Sequence, residues 1–188
     1  SKLDYENSRK ESYIHRMFNQ LFYGPSLYEE IFNEESKFSQ DPLIDLDEIV
    51  LDENLMKKLQ NRFGKKITTV TGRGKFAFSY SMKNFLNNFD MQNSVFLEDR
   101  PLEQAKPNPK SLIESISAID SKCSLYVGDS MEDLLMVEKC KESGYDVSFC
   151  GIYGSSDEPE SKFQLFQKNN ASIILKSIQE LPKALNLV

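Results

Sequence analysis

The chain has no tryptophan, one histidine (His15) and three cysteines, Cys123, Cys140 and Cys150, with no Cys-x-x-Cys spacing. A lone histidine cannot build a zinc site, which needs several ligands; His15 reads as a surface or packing residue. An odd, scattered cysteine set implies reduced, packed thiols rather than a disulfide framework. No run of about 18 to 20 apolar residues is present, so no bilayer-spanning helix is expected. The opening Ser-Lys-Leu-Asp-Tyr-Glu lacks the basic-then-apolar pattern of a signal peptide, which makes the cytoplasm the expected location. Positive charge is in the minority, with 23 Lys plus Arg against 29 Asp plus Glu and a net charge of -6. That balance argues against a broad polyanion-binding face, and with it against a nucleic-acid partner, but leaves room for one small anionic ligand. What is abundant is core material: 39% hydrophobic residues, with thirteen Phe and eight Tyr in 188 residues. This is a globular composition, enough for one average domain or two small ones.

Up to Glu35 the apolar residues Tyr13, Met17, Leu21, Leu27, Tyr28, Ile31 and Phe32 recur at helical steps, with a break at Gly24-Pro25. This predicts a helical hairpin. Residues 36–52 read as a loop, and Glu53 to Phe63 as a helix stopped by Gly64. Beyond Gly64 the rhythm becomes strand, turn, helix. Strands are expected at 67–70, 95–97, 124–127, 147–152 and 173–175, and helices at 76–89, 111–119, 132–142 and 178–185. Such alternation predicts a parallel sheet covered on both faces. The expected division is a helical region over 1–63 and an α/β core over 64–188.

In parallel sheets ligands collect at the carboxyl ends of the strands. Thr71-Gly72-Arg73-Gly74 follows the first strand, where a hydroxyl and glycine-turn N–H groups suit an anionic oxygen or simply make a turn. Lys106-Pro107-Asn108-Pro109 follows the second, its prolines restricting the backbone around a positive charge or opening the next helix. Gly128-Asp129-Ser130-Met131-Glu132-Asp133 follows the third. Two carboxylates four residues apart suit a hard divalent cation such as Mg²⁺, or else a helix cap with a first-turn acid. Arg73 and Arg100 read as phosphate contacts or surface pairs, and Glu98 and Asp99 as metal-side acids or loop contacts.

Together these residues resemble motifs two, three and four of the haloacid dehalogenase superfamily, over about residues 67–180. The most specific pieces are KPNP and YVGDSMEDL, with Lys106 standing 23 residues before Asp129. FYGPSLYEEIF and LEDRPLEQAKPNP are similar to the cap and third-motif region of a subfamily with a helical cap between motifs one and two. The resemblance implies a three-layer α/β/α, Rossmann-like core with a small helical cap. It further implies an Mg²⁺-dependent phosphatase acting on a small phosphorylated metabolite, compatible with a homodimer. Thr71 and Gly72 would bind phosphate, Lys106 would neutralise phosphate and nucleophile, and Asp129 with Asp133 would hold Mg²⁺.

The family's first motif, a strand ending in Asp-x-Asp whose first acid forms an aspartyl-phosphate, has no convincing counterpart. Leu43-Ile44-Asp45-Leu46-Asp47 has the spacing but a short apolar run after Pro42, and reads instead as a loop of solvated acids. In the family that strand lies mid-sheet, so its loss would leave two neighbouring strands with unpaired backbone. The expectation is therefore that the nucleophile strand comes from a segment outside these 188 residues. A second polypeptide, or a catalytically inactive phosphate-sensing or partner-binding relative, are the alternatives.

Overall fold

A computed structural model describes residues 13–187. Helix α1 (Tyr13–Phe32) is bent at Gly24, whose φ of 67° and ψ of 176° form a conformation essentially reserved for glycine, with Pro25 restarting the helix. A Cβ at position 24 would also lie 3.0 Å from Pro42 Cβ. Gly24→Ala is therefore expected to cost about 1–3 kcal/mol, measurable as a lower urea midpoint at unchanged slope.

Helix α2 (Glu53–Phe63) starts at Asp52, whose carboxylate accepts the Leu55 N–H at 2.8 Å, and stops at Gly64 with a φ of 58°. The α/β part follows as β1 (Val70–Thr71), α3 (Lys75–Ser81), β2 (Val95–Phe96), α4 (Lys110–Ala118), β3 (Ser124–Gly128) and α5 (Met131–Glu142). Then come β4 (Val147–Ile152), α6 (Pro159–Lys168), β5 (Ile173–Leu175) and the short α7 (Leu181–Ala184). The mixed α/β class is as expected, and every strand pairing is parallel.

The strands form two small sheets, β1-β2 and β3-β4-β5, rather than one continuous sheet. β1 and β3 do not pair. The Tyr126 hydroxyl of β3 instead reaches the Val70 carbonyl of β1 at 2.8 Å. Other departures are local. The helix expected over 76–89 ends at Ser81 and gives way to a 3-10 turn at Leu86–Asn88, where Asn residues favour turns. Helix α6 was not expected at all.

Side chains along β3 and β4 alternate between two apolar clusters, as a pleated strand requires. Val147 and Phe149 join Leu112, Ile116, Met136 and Phe166 in one cluster, while Cys150 joins Leu55, Met56, Leu59 and Leu181 in the other. The β3-β4-β5 sheet is thus covered on both faces. Helix α2, grouped by sequence with the amino-terminal part, packs in the second cluster. A third cluster of Tyr23, Tyr28, Ile44 and Ala77 joins α1, the turn at 43–46 and α3. Cys140 and Cys150 are buried free thiols, whereas Cys123 is exposed. Among the described residues no helix is long and apolar enough to cross a membrane.

Candidate functional site

β1 delivers Thr71 into a tight turn, where its Oγ1 accepts the Arg73 N–H at 3.3 Å. The hydroxyl proton stays available for an outside acceptor. Two acids hold the far side of this turn: Glu98 accepts the Gly74 N–H and Asp99 the Lys75 N–H, each at 2.8 Å. Glu98 also lies 3.6 Å from His15 Nε2, which brings the start of α1 to the same turn. Glu98 and Asp99 are loop anchors here.

The arginines are committed to carboxylates. Arg73 forms a two-pronged pair with Asp47, one prong being Nη2 to Oδ1 at 2.7 Å, and Ser81 donates to Asp47 at 2.6 Å. The Arg73 guanidinium holds the Asp47 carboxyl below the usual carboxylate range. Arg100 pairs with Glu114 at 2.7 Å. Asp45 accepts the Tyr80 hydroxyl at 2.9 Å. Leu43–Leu46 is a 3-10 turn, so Asp45 and Asp47 do not stand at the end of a strand. Nor do both simply face water: Asp47 is only 19% exposed and fastens its loop to α3.

The segments that follow the second and third expected strands meet directly. Lys106 Nζ lies 2.7 Å from Asp133 Oδ1, with side-chain exposures of 16% and 5%. The Lys106–Pro107 peptide is cis. Asp133 Oδ2 accepts from Ser130 N at 3.2 Å and Ser130 Oγ at 2.8 Å, while Ser130 Oγ accepts the Asp133 N–H, a capping box that opens α5. The Tyr126 hydroxyl lies 3.0 Å from Asp133 Oδ1 as well as against Val70. Its single proton serves one of these acceptors at a time. Burial alone would raise the Asp133 carboxyl, but the Lys106 ammonium and the Lys106, Ser130 and Tyr126 hydrogen bonds outweigh it and hold the group ionised below the usual range. The same burial, with Asp133 and Asp129 nearby, keeps Tyr126 a neutral phenol. Gly128 makes room for this packing, since a Cβ there would lie 2.6 Å from Asp133 Oδ2.

Asp129 differs from Asp133. It follows β3 directly, its side chain is 64% exposed, and its nearest cation is Lys162 of α6 at 3.9 Å. Free carboxylate oxygens of this kind fit Mg²⁺, which takes one or two carboxylates and keeps several waters. Asp133 fits the ion less well as a direct ligand, because its oxygens already face four donors and a carboxylate offers about four acceptor positions. Among the described residues no group of three or more His, Cys, Asp or Glu is arranged to hold a metal.

Of the residues singled out by sequence, Lys106 and Asp133 touch. Thr71 sits one residue beyond the Val70 carbonyl that Tyr126 links to Asp133, Gly72 lies exposed in the following turn, and Asp129 stands at the neighbouring strand end. Sequence reasoning missed Tyr126 and Ser130. Ser130 with Asp133 three positions on is a legible capping-box signature, whereas nothing in the sequence marks Tyr126 as reaching another strand. Comparison with protein-family models, curated proteins and solved structures finds no match to this chain.

Proposed function

We propose that the chain carries the phosphate- and metal-binding part of an Mg²⁺-dependent phosphohydrolase of haloacid dehalogenase type, acting on a small phosphate monoester. In this reading the α/β part is a three-layer, Rossmann-like core, α1 belongs to a helical cap, and the nucleophile comes from a segment outside these residues. The observation that carries the reading is the buried Lys106–Asp133 pair at 2.7 Å, set between the carboxyl ends of β1 and β3. An ammonium held on a rigid, fully hydrogen-bonded carboxylate is a fixed positive charge, and electrostatic stabilisation is most of what phosphoryl transfer demands.

Asp129 would hold Mg²⁺, with Asp133 adding negative charge and position. The ion supplies charge neutralisation at a phosphoryl oxygen. Lys106 neutralises a second oxygen, while the Thr71 hydroxyl and the Gly72 N–H donate to the same group. Glu98 and Asp99 keep that turn in place.

A second reading, a catalytically silent phosphate-sensing or partner-binding protein, is favoured by one observation: both acids of the Asp-x-Asp run are engaged away from any strand end. Phosphate release from an aryl phosphate by the natural protein containing this sequence separates the two. The expected result is turnover with Mg²⁺ and its loss on chelation. Phosphate binding without turnover across a panel of phosphorylated metabolites would favour the silent reading.

A further inference from the structure

We propose that Lys162 of α6 is a second phosphate-binding cation of the candidate site, and that it competes with Mg²⁺ for Asp129. The inference deepens the phosphohydrolase reading and rests on it.

The packing of α6 decides where this side chain stands. Gly128 of β3 pairs with Gly151 of β4, so the two strands end within one residue of each other and Asp129 follows at their carboxyl edge. Phe166 of α6 lies against Phe149 of β4 with ring centroids 5.4 Å apart. Gly151 admits that ring, since a Cβ there would come within 2.5 Å of it. Tyr153, just past β4, packs edge-on against Phe163 at 5.3 Å. These two aromatic contacts seat α6 beside the strand ends, and Lys162 is the residue before Phe163.

The Lys162 side chain is 24% exposed, and its ammonium lies 3.9 Å from Asp129 Oδ2, too far for a hydrogen bond. Among the described residues Asp129 is the one carboxylate within 4.0 Å of it. A pair this loose, with the carboxylate 64% exposed, attracts only weakly, so the helix and not the pair fixes the lysine. Its three ammonium donors receive no hydrogen bond from Asp129, which leaves them for another anion. On the phosphohydrolase reading Asp129 and the phosphate share one ion, and a cation 3.9 Å from Asp129 stands beside both. Its charge then acts in opposite senses: Lys162 disfavours the metal at Asp129 and favours the phosphate. Lys106, fixed on Asp133 at 2.7 Å, brings one positive charge to the phosphate, and Lys162 brings a second from α6.

The test is a pair of calorimetric titrations of the natural protein containing this sequence: MgCl₂ alone, then inorganic phosphate at saturating Mg²⁺. Parent, Lys162→Gln and Lys162→Arg are compared. In Lys162→Gln the expected result is Mg²⁺ bound about threefold more tightly and phosphate bound about tenfold more weakly. Lys162→Arg keeps the charge and should hold both affinities within about threefold of the parent. A Gln variant with unchanged phosphate affinity would overturn the proposal, because Lys162 would then be no more than a surface partner of Asp129. Unchanged Mg²⁺ affinity, or two affinities that move in the same direction, would overturn it as well. These results would leave the phosphohydrolase reading standing, whereas a parent that binds neither Mg²⁺ nor phosphate would sink that reading and this proposal together.

Discussion

Replacing Asp133 by Ala is expected to destabilise the chain by about 3–5 kcal/mol, because it strands the Lys106 ammonium at a site where it has little access to water. The pair is buried, with exposures of 16% and 5%, so solvent cannot take over the role of the missing carboxylate. The same change removes the capping box at the start of α5, and it takes an acceptor from Tyr126. The double variant Asp133→Leu with Lys106→Met should recover a large part of the loss, since no buried charge is then left alone. Chemical denaturation of the single and double variants checks this. If Asp133→Ala were as stable as the parent, the pair would not be the buried contact described here. The pH dependence has a definite sign. The Asp133 carboxyl titrates lower in the folded chain than in the unfolded one. Its contribution is thus complete above the unfolded value of about 3.9 and declines as the pH falls below it.

Asp129→Asn is expected to have the opposite profile, leaving stability within about 0.5 kcal/mol while removing function. Its side chain is 64% exposed and its one close cation is at 3.9 Å, so little folding energy depends on its charge. On the proposed reading it is nevertheless the carboxylate that holds Mg²⁺, and loss of a metal that neutralises phosphoryl charge is worth several kcal/mol in the transition state. The Mg²⁺-dependent hydrolysis of an aryl phosphate by the natural protein should fall about 100-fold or more, chiefly in kcat. A variant of Asp129 with undiminished turnover would remove this residue from the site.

The contrast between the two aspartates shows what a sequence can reveal. Both were legible as strand-end acids near a helix start, and spacing treated them alike. Only the fold shows that one is enclosed by Lys106, Ser130 and Tyr126 while the other stays open to water. Strands β4 and β5 were legible to the residue because their apolar runs are bounded by turn-formers and paired by neighbours. β1 and β2 are two residues each, shorter than their apolar runs suggest, since β1 has a partner on one edge only. Helix α6 escaped notice because its buried face rests on Phe166 amid Gln, Lys and Glu, even with Pro159 at a favourable first position. The Asp47–Arg73 pair spans 26 residues, and no local pattern encodes such a contact.

The central claim is that Asp129, Lys106 and Thr71 serve one Mg²⁺-linked phosphate site. Calorimetric titration of inorganic phosphate into the chain, with and without Mg²⁺, tests it most directly in the parent and in Asp129→Asn. The account predicts phosphate binding that depends on Mg²⁺ and weakens about tenfold or more in the variant, or about 1.4 kcal/mol. Phosphate affinity indifferent both to Mg²⁺ and to the loss of the Asp129 charge would contradict it.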